Sequence, residues 1–162
     1  MTSYKAPREL IDNFLEQRRI AMVGVSRDPS SFSIVLFREL SRRGYDVIPV
    51  NPHAVQLEGR SCFARVQDIH PPVEAAILMT PPAATEDVVR DCFHAGVNRV
   101  WMYRAGGNGA VSQRAVTYCW EKGIEVIPGE CPLMFLPKTG IVHVVHGLIR
   151  RISGNYPHRR AA

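Results

Sequence analysis

The chain has 162 residues, 46% hydrophobic and 22% charged, a composition that excludes disorder, and no run approaches the roughly 20 apolar residues of a membrane span. Its size predicts one domain, residues 1–162, that buries roughly two-thirds of its unfolded surface without a metal or disulfide staple. The net charge is +5, but Arg150, Arg151, Arg159 and Arg160 supply four of those charges, and a body without a basic, aromatic-interleaved stripe argues against nucleic-acid binding.

Met1-Thr2-Ser3-Tyr4-Lys5 leads into a charged stretch rather than the apolar core of a signal peptide, so a cytoplasmic protein is expected. Residues 7–17 place Leu10, Ile11, Phe14 and Leu15 on one helical face. Ile20 to Val25 is a nearly continuous apolar run, the pattern of a strand covered on both faces. A polar loop, Ser26 to Ser31, precedes a helix carrying Ile34 to Leu40 and stopped at Gly44. Tyr45 to Val50 is the second strand, closed by Asn51-Pro52. Residues 53–72 are irregular, with turns at Gly59 and Pro71-Pro72 and room for a short helix at 65–69.

Ala75 to Met79 predicts the third strand, and a helix follows from about Ala83 to Ala95. Arg99 to Tyr103 is the fourth strand, Ala110 to Lys122 a helix, and Ile124 to Ile127 the fifth strand. Strand and helix alternating in this way predict right-handed βαβ units. The expected fold is α/β: a Rossmann-like open parallel five-stranded sheet, order 3-2-1-4-5, with helices on both faces. Residues 18–127 form its core, and 128–162 are an extension with a helix at about 142–153.

Ligands of such sheets bind beyond the carboxyl ends of the strands, where the strand order reverses. That points to Gly24–Ser33, Asn51-Pro52, Thr80-Pro81-Pro82 and Arg104–Gly109. Gly24 lets backbone approach a ligand closely, and Ser26, the loop N–H groups and the helix end could cradle an anion. The alternative is an ordinary βα turn with Ser33 as N-cap. No GxGxxG is present. At the end of the second strand NAD-binding domains usually place a carboxylate for the ribose. Asn51 stands there instead, and an amide tolerates a phosphorylated ribose, which leaves NADP open on charge alone.

Val23-Gly24-Val25-Ser26-Arg27-Asp28-Pro29 and Gly44-Tyr45-Asp46-Val47-Ile48-Pro49-Val50-Asn51-Pro52 together resemble the family of small bacterial CoA-binding domains. That fold is similar to the CoA-binding domain of the succinyl-CoA synthetase alpha subunit. The resemblance implies that Gly24, Val25, Ser26 and Arg27 face the phosphates of CoA, with Ser33 in the same loop region. It implies that Asn51-Pro52 flank the nucleoside and that Thr80, Pro81 and Pro82 line the path beyond. Family members often carry a Lys and a Gly where this chain has Ser30-Ser31-Phe32-Ser33; Arg104 would supply a compensating cation. The expected cofactor is CoA or an acyl-CoA, and the alternative is an NAD(P)-binding or redox-sensing domain.

No nucleophile–base pairing or carboxylate pair declares a reaction, and no catalytic residue is assigned. Cys62, Cys92, Cys119 and Cys131 show no zinc spacing and read as thiols. Cys131 lies on the ligand side of the sheet, either as a thiol near the CoA sulfur or as a small buried residue. His143 and His146 share a helical face with Arg150, but a metal would need a third ligand, and none is assigned. Leu133-Met134-Phe135-Leu136 is too apolar for water. A fold-back or a second copy must cover it, and a homodimer is the expectation.

Overall fold

The computed structural model describes residues 5–104 and 107–137. The helix expected at 142–153, with His143 and His146, lies outside the described residues. Helix α1 (Arg8–Leu15) leads into strand β1 (Arg19–Val23), helix α2 (Phe32–Arg42) and strand β2 (Asp46–Val50). Residues 53–72, expected to be irregular, hold a minimal hairpin of β3 (Gln56–Leu57) and β4 (Arg60–Ser61) and a 3-10 turn, Val66–Asp68. The two hairpin-loop residues, Glu58 and Gly59, both have positive φ, as a two-residue turn of matching twist requires. Strand β5 (Ala75–Leu78), helix α3 (Pro82–His94), strand β6 (Arg99–Tyr103), helix α4 (Gln113–Glu121) and strand β7 (Glu125–Glu130) complete the order.

The five long strands form one parallel sheet in the order β2-β1-β5-β6-β7. The expected α/β class holds, but the expected order 3-2-1-4-5 does not: counting long strands alone, it is 2-1-3-4-5. Pro49 gives the physical reason. Among the described residues, the outer edge of β2 makes backbone hydrogen bonds only with residue 63, where Phe63 N–H donates to the Pro49 carbonyl and Asn51 N–H donates to the Phe63 carbonyl. A strand residue's N and O point to the same side, so the N–H that Pro49 lacks also faces outward. Proline suits an edge strand and not the interior place the expected order gave it. Conversely, every residue of β5 is buried, which suits a strand flanked on both sides.

The period of two along each strand sorts the core into two layers. Ile20, Met22, Val47, Ile77 and Trp101 face α1 and α2. Ala21, Val23, Ile48, Leu78 and Met102 face α3, α4 and the connection through Val66 and Ile69. That connection crosses β1 to deliver β5 to its far side, so the strand order reverses between β1 and β5.

The segment after β7 turns back onto the first layer. Leu133, Phe135 and Leu136 are buried there, and the Phe135 ring lies 5.9 Å from that of Trp101. Trp101 in turn donates its indole N–H to the Glu130 carbonyl at 2.9 Å. The apolar run is therefore covered within one chain, which removes the reason for expecting a second copy.

Candidate functional site

The reversal of strand order puts the carboxyl ends of β1 and β5 side by side, and a crevice of about 430 Å³ opens there. Gly24 ends β1 at φ +86°, and a Cβ on it would stand 3.0 Å from the Met79 carbonyl carbon and 3.1 Å from Thr80 N. The two strand ends thus close on each other only because this residue has no side chain. Ser26, Ser31, Phe32 and Ser33 form one wall, and Met79, Thr80 and Pro81 form the floor after β5. Tyr103, Gly109 and Ala110 supply the opposite wall. The Phe32 and Tyr103 rings stack across the α2 side, with centroids 5.2 Å apart and planes 22° from parallel.

The loop after β1 is held by its own oxygens. Ser31 is the N-cap of α2, so Ser33, the alternative cap, sits inside the first turn. Ser33 is buried, and its hydroxyl accepts from Ser26 N–H at 2.9 Å and lies 3.0 Å from the Ser31 hydroxyl. Ser26 Oγ accepts from Asp28 N–H, and Asp28 Oδ1 accepts from both the N–H and the hydroxyl of Ser30. The Ser30 hydroxyl and then its N–H hold the Asp28 carboxyl below its usual pKa. With Ser31 N–H on the Asp28 carbonyl and Ser33 N–H on Ser31 Oγ, five loop N–H groups are already taken. Arg27 is exposed beside this wall and makes no ion pair with a described residue.

Gly24, Ser26, Ser33, Thr80 and Pro81 are therefore the expected site residues that the crevice brings together. The others stand apart from its lining. Val25 is fully buried in the first layer. Asn51 uses both ends of its amide in the fold: Nδ2 donates to the Val25 carbonyl at 2.8 Å, and Oδ1 accepts from His53 N–H at 2.8 Å. Pro52 is exposed, and Pro82 opens α3 at its first position, where its missing N–H costs nothing. The Thr80 hydroxyl pairs with buried Thr85 at 2.9 Å. Arg104 lies over Gly129, where a Cβ would come 2.8 Å from a guanidinium nitrogen. Gly129 falls at a break in the β6–β7 register, where Met102 pairs with Pro128 but Tyr103 with Glu130.

Sequence reasoning pointed to the segment that holds Phe32 without singling it out, and it missed Met79, Tyr103 and Ala110 as lining residues. An aromatic at the carboxyl end of a central strand, and another opening the helix after β1, was the available signal. Tyr103 is half-buried, and burial, followed by the nearby Cys131 sulfur, raises its hydroxyl to about 12. Cys131 is buried, and its thiol is raised to about 11, chiefly by burial, against donation from the Leu133 and Met134 N–H groups. It remains a neutral thiol at physiological pH, the behaviour of a small core residue rather than a nucleophile. No group of three or more metal-ligating side chains occurs among the described residues.

The sequence profile of a family described as CoA binding domain matches residues 18–137. The chain is 30% identical over 98 residues to the ADP-forming acetate–CoA ligase II subunit alpha of Pyrococcus furiosus, covering 60% of this chain and 21% of that one. It is 24% identical over 123 residues to Bacillus subtilis YneT, covering 76% of this chain and 88% of that protein. A solved structure from Pyrococcus horikoshii OT3, described as a hypothetical protein, superposes with a TM-score of 0.72 at 27% identity. That match covers 81% of this chain and 94% of the other. The chain spans only 21% and 17% of the two ligase relatives it matches.

Proposed function

The chain belongs to the CoA binding domain family through residues 18–137, and on that premise we propose that it binds coenzyme A or an acyl-CoA across the carboxyl ends of β1, β5 and β6. The crevice at the reversal of strand order carries this reading. It is a concave site of the size that holds small ligands, roughly 300–1,000 Å³, at the place where open α/β sheets bind their ligands. Because five N–H groups of the loop after β1 serve the loop itself, charge neutralisation of the diphosphate falls to exposed Arg27.

The same reading makes the chain one ligand-binding unit without a reaction of its own. Among the described residues the crevice lining holds hydroxyls, rings and backbone, groups suited to holding a ligand. All four cysteines are free, which suits a reducing, cytoplasmic setting, and no helix among the described residues is long and apolar enough to cross a membrane.

Native mass spectrometry of the chain purified from cells tests the reading, followed by calorimetric titration with CoA and with NADP. A retained CoA mass, or a CoA titration that saturates while NADP gives no heat, is expected. A retained nicotinamide mass would overturn the assignment in favour of the dinucleotide alternative.

A further inference from the structure

Among the described residues, no charged side chain lines the crevice. Phe32, Met79 and Ala110 and the Tyr103 ring present carbon surface, and of the hydroxyls beside them only part of the hydrogen-bonding capacity is engaged. Ser33 Oγ accepts from Ser26 N–H, Ser26 Oγ accepts from Asp28 N–H, and Thr80 Oγ1 pairs with Thr85. The neighbouring arginines stand outside, Arg27 exposed on the loop and Arg104 over Gly129.

Coenzyme A is too long to lie wholly within about 430 Å³, so with the diphosphate at Arg27 one end enters and the other stays outside. The nucleoside end carries a 3′-phosphate and a base rich in donors and acceptors. Inside, those groups would exchange water for walls with few open partners, a costly exchange. The opposite end, a thioester with an alkyl group, loses little on leaving water and gains apolar contact.

We propose that the crevice takes the acyl end of a coenzyme A thioester and selects short, uncharged acyl groups over those that end in a carboxylate. This rests on the coenzyme A reading above and adds a substrate class to it. Discrimination arises because a terminal carboxylate would be desolvated among the Phe32, Met79 and Tyr103 side chains, with no cation among the described lining residues to face it.

The test needs no variant at first: the whole chain is titrated calorimetrically with CoA, butyryl-CoA, succinyl-CoA and adenosine 3′,5′-bisphosphate. Butyryl-CoA is expected to bind more tightly than CoA, and succinyl-CoA at least about tenfold more weakly than butyryl-CoA, the scale of an unpaired charge leaving water. Met79→Lys, whose long side chain can place an ammonium in the crevice, should narrow or reverse that preference, with circular dichroism confirming that the variant folds. Equal affinity of the native chain for butyryl-CoA and succinyl-CoA overturns the proposal while leaving coenzyme A binding intact. So does adenosine 3′,5′-bisphosphate displacing butyryl-CoA with no dependence on the acyl group, since the nucleoside would then fill the crevice. If no thioester and no CoA binds, the underlying coenzyme A reading falls with it.

Discussion

Gly24 draws attention in the sequence as a place where a ligand could approach, and the structure adds a second demand on it. Its missing Cβ is what lets the backbone of Met79 and Thr80 come close, and its φ of +86° strains any other residue. Gly24→Ala should therefore cost about 1–3 kcal/mol in urea unfolding and weaken CoA by parting the two strand ends. Asn51 is legible as a departure from the carboxylate of NAD-binding domains, but its hydrogen bonds are not, because they depend on the neighbouring carbonyl of Val25. Asn51→Asp removes that donor and sets a carboxylate against the carbonyl, so a loss of about 1–3 kcal/mol in stability is expected. The buried thiols set a limit at high pH. Cys131 is raised from 9.0 to about 11 and Cys119 to about 12. Folding thus favours their protonated forms, a contribution complete below the unfolded value near 9. The unfolded chain ionises first above that value, so the unfolding midpoint should fall as pH rises from 9 toward 11 and stay flat from 7 to 8.5, roughly.

At the scale of elements, the long strands were readable because runs such as Ile20–Val23 and Ala75–Leu78 are apolar at every position, as two covered faces demand. Their order was harder to read, since an apolar run says how many faces are covered and not which strand lies beside it. Pro49 carried the missing information, for a proline within a strand pattern marks an edge. The hairpin of β3 and β4 escaped notice because two-residue strands have no periodicity to detect. Helix α2 joins fold and site most directly. Its N-cap, Ser31, accepts from Ser33 N–H, and Ser33 in turn holds Ser26 N–H. Ser31→Ala should cost about 0.5–2 kcal/mol, the usual worth of such a cap. Ser33→Ala orphans a half-buried N–H, and about 1–3 kcal/mol is expected from thermal denaturation.

Across the whole molecule, the apolar stretch after β7 posed a choice that composition alone could not make. Leu133 to Leu136 had to be covered, and either its own sheet or a second copy would serve. The decisive partners, Trp101 and α1, lie far away in sequence, so no local pattern reveals them. In the structure the Phe135 ring packs against Trp101 on one side and lies under the Arg8 guanidinium, 5.6 Å from its centre. Phe135→Ala should therefore lower stability by about 3–5 kcal/mol, the range for large core aromatics. Sedimentation at micromolar concentration should be the same for both proteins; dissociation of a dimer by this substitution would mean that the segment joins two chains instead.

The outer margin of β2 has a consequence for the molecule in crowded company. A parallel sheet ends in unpaired backbone groups that invite strands from other chains, and unchecked pairing of that kind leads to aggregation. Here Pro49 deletes one donor from the margin, while the chain's own Phe63 occupies the adjoining backbone groups. The proline that fixed the strand's position thus also makes that side of the sheet a poor template for further growth.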